Sequence, residues 1–358
     1  MSTMMRAARV TAFGQPLTIS QIPVPEPGPG EVLVKVAACG VCHTDLHAAD
    51  GDWPVKPSLP FTPGHEAAGI VAALGPGVTE LAVGDAVGVV WLHDACMHCE
   101  HCRTGWETLC ESQHNTGYSC DGGFADYVIA AAPFVARLPK DADLAALAPI
   151  LCAGVTSYKG LKETEARPGE WVAISGCGGL GHLAIQYARA MGLRVVALDL
   201  SEEKLAAALR EGAEAAINAG AADAVDQVKA ITGGGAHGVL VTAVSRSAFG
   251  QALQFVRRHG TISLVGLPPG DFATPIFDVV LKRITLRGSI VGSRQDLAEA
   301  VAFAVQGKVH AEITRAPLSD INRIFEELKA GTVNGRYVLD FTLPDAAAVQ
   351  TEVEVAAA

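Results

Sequence analysis

The chain carries the stretch Trp171-Val-Ala-Ile-Ser-Gly-Cys-Gly-Gly-Leu-Gly181, in which a short apolar run passes directly into three glycines spaced G-x-G-x-x-G. Residues 180–191 then have a helical pattern, and a second apolar run, 194–198, ends at Asp199. A strand, a glycine turn, a helix, a second strand and an acidic residue about twenty positions further on indicate a dinucleotide-binding unit. Glycine triads alone are common in loops, so the prediction rests on the whole context.

The glycine turn gives each of its glycines a mechanical role. Gly176 permits the tight bend, Gly178 lets the backbone approach a pyrophosphate, and Gly181 lets the helix pack on the strand. Asp199 is expected to bind the adenosine ribose hydroxyls and to repel a 2′-phosphate, so the sequence favours NAD over NADP. The residues predicted to contact the dinucleotide in this segment are Gly176, Gly178, Gly179, Leu180, Gly181 and Asp199.

Helical and strand patterns alternate after Asp199, as expected for parallel strands joined by helical crossovers. The predicted strands are 215–217, 239–242 and 261–265, and the predicted helices are 202–211, 222–232 and 248–258. We therefore predict an α/β fold with a doubly wound Rossmann domain over residues 154–292.

The first part of the chain has a β-rich pattern instead. Val32, Val34 and Val36 alternate with polar or small residues, which is typical of a strand with one buried face. Further strands are predicted at 67–74, 86–90 and 337–341, and helices at 296–306 and 319–329. We predict a second domain from residues 1–153 and 293–343, followed by a tail over 344–358 that we expect to be disordered.

Composition limits the possible partners. The formal charge of -11 and the pI near 5.4 argue against a nucleic-acid partner, because such binding needs clustered Lys and Arg. The N-terminal residues 1–13 have no apolar signal-peptide core, and no apolar run reaches the ~18 residues that span a bilayer. We expect a cytoplasmic protein with no membrane partner, in which the nine cysteines are metal ligands or core residues rather than disulfides.

Four cysteines lie within fifteen residues at the spacing Cys96-x₂-Cys99-x₂-Cys102-x₇-Cys110. Four thiolates can close a tetrahedron around zinc and leave no position for a substrate, which indicates a structural site. An iron–sulfur cluster is the alternative for such a quartet. Cys39, Cys120 and Cys177 have no predicted role.

A second group of metal-binding side chains is spread along the chain. It comprises the hexapeptide Cys42-His43-Thr44-Asp45-Leu46-His47, the tripeptide Gly64-His65-Glu66 and the distant Cys152. Two thiols and an imidazole favour zinc, and three protein ligands with one open position are typical of a catalytic site. Taken singly, Cys42 and Cys152 would be interpreted as core cysteines, and His47 as an exposed loop imidazole.

Together and in this order, these motifs resemble those of the zinc-dependent medium-chain alcohol dehydrogenases. The resemblance covers residues 6–341 and is closest to the NAD-dependent tetrameric branch of bacteria and yeasts. The strings that carry it are Gly51-Asp52-Trp53-Pro54, Leu151-Cys152-Ala153-Gly154, Gly234-Gly235-Ala236-His237-Gly238 and Gly335-Arg336-Tyr337-Val338. It implies a GroES-like catalytic domain, two zinc ions per subunit, and hydride transfer between a primary alcohol and NAD, with the aldehyde as substrate in reverse.

The resemblance also implies roles for individual residues. Catalytic zinc would be held by Cys42, His65 and Cys152, with Glu66 able to approach the metal and Asp45 orienting His65. Thr44 would take the proton of the alcohol and pass it by way of the nicotinamide ribose to His47. The further residues implied to contact the cofactor are His43, Thr44, His47, Lys204, Val265, Leu267, Ser289, Val291 and Arg336. Trp53 and Trp91, more often core aromatics in general, would line the substrate pocket.

Two other functions stay open at this point. One is an NAD-dependent polyol or amino-alcohol dehydrogenase of the same superfamily, which would differ in the pocket alone. The other is a zinc-stabilised regulatory protein that keeps the dinucleotide as a ligand. The segment between Cys110 and Gly122 is short and lacks the longer insertion that dimeric animal and plant members of the family carry there. By analogy with the other members, we expect a homotetramer.

Overall fold

The computed structural model describes residues 3–345. It divides the chain into two compact units, one from Met1–Cys152 and Ala311–Ala358 and the other from Ala153–His310. The predicted tail, 344–358, lies outside the described residues except for its first two positions.

The elements follow in chain order. The strands are β1 (Met4–Arg9), β2 (Thr18–Pro23), β3 (Glu31–Gly40), β4 (Ala67–Leu74), β5 (Ala86–Val89), β6 (Leu92–Asp94), β7 (His114–Asn115), β8 (Tyr127–Ala131), β9 (Ala136–Arg137), β10 (Trp171–Ser175), β11 (Arg194–Asp199), β12 (Ala215–Asn218), β13 (Ala236–Val241), β14 (Val256–Leu264), β15 (Thr285–Gly288), β16 (Ile313–Ala316) and β17 (Arg336–Asp340). The helices are α1 (His43–Asp50), α2 (Glu100–Arg103), α3 (Leu144–Leu147), α4 (Ala153–Glu163), α5 (Gly181–Ala190), α6 (Glu202–Arg210), α7 (Ala224–Thr232), α8 (Arg246–Phe255), α9 (Ile276–Lys282), α10 (Arg294–Val305) and α11 (Ile321–Ala330). Short 3-10 turns lie at Glu107–Leu109, Ala132–Phe134, Ala148–Leu151 and Leu318–Asp320.

The first unit is built on a sheet with the order β16-β17-β3-β4-β5-β9, to which β8 adds by pairing with β3. Most of its pairs are antiparallel. In β3, Val34 and Val36 are buried while Lys35 between them is exposed, which is the alternation read from the sequence. The prediction of a β-rich first domain is confirmed.

The second unit has a parallel sheet with the order β12-β11-β10-β13-β14-β15. The chain builds outward from β10 to β12, then returns to the other side of β10 with β13. In such a sheet ligands bind at the carboxyl ends of the strands where the direction of winding changes. The glycine turn after β10 lies at that point, so the predicted doubly wound fold and the position of its fingerprint agree.

The secondary structure differs from the predictions in several places. The helix predicted over 248–258 ends at Phe255, because Val256 pairs with Ala236 of β13 before a register shift. The helices α4 and α9 and the strands β15 and β16 are among the elements that the sequence did not predict, as are α2, α3 and β6 to β9. Glycines interrupt the helical pattern of α4, and β15 and β16 are short strands that form only by pairing with distant partners.

The boundary between the domains also differs from the prediction. We expected residues 293–310 in the first domain, whereas the structure groups them with the second unit. The reason is the packing of α10 on α4 and α5. Phe303 contacts the rings of Tyr158 and Tyr187, whose hydroxyl donates to the Ala300 carbonyl at 3.0 Å.

Within residues 3–345, no single helix is long and apolar enough to cross a membrane. Two consecutive helical segments, Leu144–Leu151 and Ala153–Glu163, reach the length and apolar composition of a membrane span only when they are taken together, and they are bent relative to each other by 43°.

Two helical glycines make a matched test of the fold. A methyl group at Gly181 would lie 1.9 Å from the Gly176 carbonyl oxygen, whereas one at Gly250 in α8 meets nothing within 4 Å. We expect Gly181→Ala to cost about 1–3 kcal/mol of stability and to weaken dinucleotide binding. Gly250→Ala should stabilise by about 0.5–1 kcal/mol, because alanine favours the helix. Melting temperatures measured by circular dichroism compare the stabilities of the two variants. Equal shifts for both would contradict the close packing assigned to Gly181.

Candidate metal centres and dinucleotide site

The segment after β3 is organised by the buried carboxylate of Asp45, which is 1% exposed. Its Oδ2 accepts a hydrogen bond from the Cys42 backbone N–H at 2.9 Å. Its Oδ1 accepts from the Gly64 N–H at 3.0 Å and lies 2.9 Å from His65 Nδ1. One side chain thus fixes the start of α1, the loop before β4 and the orientation of the His65 ring.

Four buried side chains converge here: Cys42, His65, Glu66 and Cys152 each offer a ligand atom within 4.8 Å of the others. His65 Nε2 lies 3.2 Å from Cys152 Sγ. In a tetrahedral zinc site with ordinary bond lengths, the nitrogen and sulfur ligands are about 3.5 Å apart. The cluster therefore has the composition and the size of a zinc site.

The electrostatics of the cluster suit a divalent cation. The hydrogen bond from Cys152 lowers the pKa of the Cys42 thiol well below its usual value, against the opposing effect of burial. Burial disfavours the charged form of His65, but the charge of Asp45 and its hydrogen bond outweigh this and raise the pKa of the ring. The hydrogen bond between the two thiols raises the pKa of the Cys152 thiol, so Cys42 is the thiolate of the pair and Cys152 its donor. A thiolate is the form of cysteine that binds metal, so Cys152 must lose its proton when a metal binds both sulfurs.

Glu66 is fully buried and pairs with Arg336, itself only 5% exposed. Burial raises the pKa of Glu66 to about 7, against the opposing charge of Arg336. Glu66 Oε2 has no hydrogen-bond partner among the described residues, so this oxygen is free to bind a metal. The partner of Arg336 in the structure is Glu66; its predicted contact with the pyrophosphate stays a prediction.

The cysteine quartet forms a second cluster, with all four sulfurs within 4.8 Å of one another. Cys96 and Cys102 Sγ atoms are 3.9 Å apart, and those of Cys99 and Cys102 are 3.5 Å apart. The edge of a zinc–thiolate tetrahedron is about 3.8 Å, so zinc fits this cluster as well. Backbone N–H groups also donate to the sulfurs, from Cys99 to Cys96 at 3.3 Å and from Cys102 to Cys99 at 3.5 Å.

An aromatic group lies beside the first cluster. The ring of Trp91 meets that of His65 edge-on at 5.4 Å between centroids and that of Trp53 at 6.4 Å. Tyr118 joins them, 5.7 Å from Trp53 and 5.6 Å from Trp91. The ring of His47 stacks on Trp53 at 5.6 Å. The structure thus brings the two predicted pocket tryptophans together beside a predicted metal ligand.

The glycine turn of the second unit has the geometry expected of a phosphate-binding loop. Gly176 has φ +98°, and a side chain there would strike the backbone of Ala243. A methyl group at Gly178 would meet nothing within 4 Å, so the backbone is open to a ligand at this position. Asp199 Oδ2 accepts from the Cys177 N–H at 2.7 Å, which fixes the predicted ribose ligand against the turn.

The other predicted cofactor residues of this unit lie at the ends of its strands and helices. Val265 and Ser289 follow β14 and β15, Leu267 is 64% exposed, and Lys204 lies in the first turn of α6. Val291 has a positive φ of 40°.

Comparison with known proteins agrees with this geometry. Residues 28–140 match the alcohol dehydrogenase GroES-like domain, and residues 179–306 match the zinc-binding dehydrogenase family. The chain belongs to the zinc-dependent medium-chain alcohol dehydrogenases. The family resemblance inferred from the motifs is therefore confirmed.

Members of the family resemble the chain over almost its whole length. An alcohol dehydrogenase of Rhizobium meliloti is 60% identical, covering 94% of this chain and 98% of its own. One of Moraxella is 56% identical over 95% of this chain and 100% of its own. The crystal structure of the alcohol dehydrogenase of Aeropyrum pernix superposes with a TM-score of 0.86 at 37% identity, covering 94% of this chain and 99% of that one.

The structure adds two residues to this family site to which the motifs assigned no role. Tyr118 completes the aromatic group, and its hydroxyl donates to the Val55 carbonyl. Asp52 Oδ2 lies 2.8 Å from His47 Nδ1. The signal for Asp52 was its place in the Gly51-Asp52-Trp53-Pro54 string, whereas Tyr118 is far from the hexapeptide in sequence and gave no signal.

The two candidate metal centres should fail in different ways. We expect Cys152→Ser to abolish turnover with a melting temperature near that of the wild type, because it disrupts the open cluster. Cys99→Ser should chiefly lower the melting temperature, because a closed structural zinc contributes folding energy. Elemental analysis should show a loss of about one zinc per chain for each variant. Unfolding by Cys152→Ser combined with unchanged melting for Cys99→Ser would reverse the assignment.

Proposed function

We propose that the protein is an NAD-dependent dehydrogenase of primary alcohols that acts on aldehydes in reverse, with one catalytic and one structural zinc per subunit. The observation that carries the proposal is the buried convergence of Cys42, His65 and Cys152 beside the ring of Trp91. The curated relatives named alcohol dehydrogenases, at up to 60% identity, support it.

Zinc bound by Cys42, His65 and Cys152 would supply a Lewis acid that lowers the pKa of an alcohol hydroxyl. Asp45 holds His65 through Nδ1 and so presents Nε2 to the cluster, as carboxylate partners of metal-binding histidines do. Because Asp45 is buried and bonded on both oxygens, this orientation does not depend on solvent.

We assign the proton relay to Thr44 and His47, one turn apart on α1. The Thr44 hydroxyl would accept the alcohol proton as it gives up its own, which would pass by way of the nicotinamide ribose, as the family resemblance implies, to His47 and then to solvent. Asp52 and Trp53 hold the His47 ring through a hydrogen bond and a stacking contact. A general base fixed in this way can release a proton at neutral pH.

The preference for NAD is assigned to Asp199 at the carboxyl end of β11, with Lys204 as a second group at the adenosine ribose. A carboxylate bonded to the glycine turn can accept from ribose hydroxyls and repels a 2′-phosphate. The remaining assignments to the cofactor, His43 and Arg336 at the pyrophosphate and Val265, Leu267, Ser289 and Val291 at the nicotinamide, rest on the family resemblance.

We also propose a homotetramer in the cytoplasm. On α9, Ile276, Phe277, Val280 and Leu281 are 66–79% exposed, and β15 is the last strand at its side of the sheet. An apolar helix face next to an open strand edge favours contact with a second copy. The free cysteines among the described residues are consistent with a reducing compartment.

Cofactor choice tests Asp199. We expect Asp199→Ser to lower the ratio of kcat/KM for NAD to that for NADP about tenfold or more, because ribose bonds are lost and the repulsion of the phosphate is relieved. Steady-state kinetics with both cofactors measure it, with Glu202→Gln on the adjacent helix as the control. An unchanged ratio would remove Asp199 from the adenosine pocket.

The proton relay predicts a dependence on pH. His47→Gln should lower kcat about 10- to 100-fold below about pH 8, with partial recovery in alkaline buffer where solvent base replaces the imidazole. Asp52→Asn, which keeps the imidazole, should show a smaller loss of the same shape. A loss that is uniform across the pH range would indicate a structural role for His47.

A panel of alcohols tests the function itself. The oxidation of each alcohol is measured by the absorbance of the reduced nicotinamide. If Trp53 and Trp91 narrow the pocket, straight primary alcohols should exceed branched and secondary ones, with each methylene worth ~1–3 kcal/mol. Trp53→Leu should raise kcat/KM for longer alcohols relative to ethanol and leave NAD affinity unchanged. A wild-type preference for polyols or amino alcohols would instead establish the alternative dehydrogenase.

A further inference from the structure

The segment between β15 and α10, residues 289–293, contains a strained residue. Val291 has φ +40°, a conformation that a β-branched side chain rarely adopts, so its surroundings must enforce it. The segment holds two of the residues proposed to line the nicotinamide, Ser289 and Val291. Ser289 Oγ is buried and has no hydrogen-bond partner among the described residues.

The segment is fixed at both of its ends. On one side, the Ser289 N–H donates to the Leu264 carbonyl at 2.9 Å and continues the pairing of β15 with β14. On the other side, Asp296 Oδ2 accepts from the Ser293 N–H at 2.9 Å and from its hydroxyl at 2.7 Å. Residues 290–292 therefore close a short span between two fixed points.

Asp296 is itself anchored to α4. It is 2% exposed, and its Oδ1 accepts from Lys162 Nζ at 2.8 Å, while Lys159 Nζ lies 3.6 Å from its Oδ2. Burial alone would raise the pKa of Asp296, but the bonds from Lys162 and Ser293 outweigh it and lower the pKa. The carboxylate is thus held ionised between two lysines of α4 and the cap of α10.

Close packing leaves the segment little freedom. A methyl group at Gly292 would lie 2.6 Å from Val155 Cγ2 on α4 and 2.9 Å from Asp296 Cβ. A helix cap alone would need no ion pair, since Ser293 Oγ already accepts from the Asp296 N–H at 3.2 Å. The two lysines therefore add a tether to α4 that the cap does not require.

We propose that Asp296, tethered by Lys159 and Lys162, is a positioning residue that fixes residues 289–293 to receive the nicotinamide end of the dinucleotide. The inference rests on the proposed function and goes beyond it, because Asp296 acts through this segment rather than by touching the cofactor. The tether enforces the strained backbone at Val291 before the ligand binds. The conformational entropy of residues 289–293 is then lost during folding rather than on binding, and the nicotinamide binds a preformed surface.

The test compares two ligands in the intact, zinc-loaded enzyme by calorimetry: NAD, and ADP-ribose, which lacks the nicotinamide. In Asp296→Asn an amide replaces the carboxylate and can accept on one side only, so either the Ser293 bonds or the Lys162 bond are lost. We expect the Kd of NAD to rise about tenfold and that of ADP-ribose to stay within about twofold. A milder variant, Ser293→Ala, should change the NAD value in the same direction by about threefold.

Glu299→Gln is the matched control. Glu299 lies on the same helix and also accepts from Lys162 Nζ at 2.8 Å, but it binds the Tyr158 hydroxyl rather than the Ser293 cap. This variant should leave both dissociation constants within about twofold of the wild type.

Equal changes for NAD and ADP-ribose, or no change for either, in Asp296→Asn and Ser293→Ala would overturn the positioning role. A selective loss for NAD in Glu299→Gln would do so as well, since it would assign the effect to the ion-pair network at large. These outcomes differ from a failure of the proposed function, in which the wild-type enzyme itself would not reduce NAD with any alcohol.

Discussion

The hydrogen bonds of Asp45 are the constraint on which the first unit's chemistry depends. A buried carboxylate is costly unless its oxygens are bonded, and here they bind two backbone N–H groups and an imidazole. These partners belong to residues 42, 64 and 65, so the hydrogen bonds that stabilise the buried Asp45 carboxylate also hold Cys42 and His65 close together. Because Asp45 holds both ligand-bearing segments through hydrogen bonds of its own, it reduces the ordering that metal binding must drive.

The two metal clusters differ in how the chain assembles them. The quartet from Cys96 to Cys110 closes a short loop, so its sulfurs can meet with little help from the rest of the fold. The Cys42, His65 and Cys152 cluster draws on three distant segments and needs the surrounding sheet to hold them. We therefore interpret the cysteine quartet as a site that stabilises its own loop. The Cys42, His65 and Cys152 cluster instead forms only when the surrounding fold is complete, which suits a site that must keep one position open.

Buried charge is handled in the same way at two places in the molecule. Glu66 and Arg336 pair in the interior of the first unit, and in the second the buried Asp296 pairs with Lys162, whose side chain is partly open to solvent. Breaking one partner of such a pair leaves an uncompensated charge, which costs more than the pair contributes to stability. In both units the pair lies next to a group assigned to chemistry or cofactor binding, so these charges are better explained by positioning than by stability.

The sequence by itself determined the fold class and the family, because alternation in β3, the glycine spacing after β10 and cysteines at short intervals are local signals. The same chain indicated both sets of candidate metal ligands, the quartet by its spacing and the Cys42, His65 and Cys152 set by its motifs. It also indicated Asp45, His47 and Asp199 through their places in those motifs. Only the tertiary structure decided the rest. Tyr118 joins the tryptophans, Arg336 pairs with Glu66, and Asp296 ties α10 to α4 across more than a hundred residues of chain. Such contacts depend on the packing of segments that have no periodic relation in the sequence, and for the same reason residues 293–310 joined the second unit rather than the first.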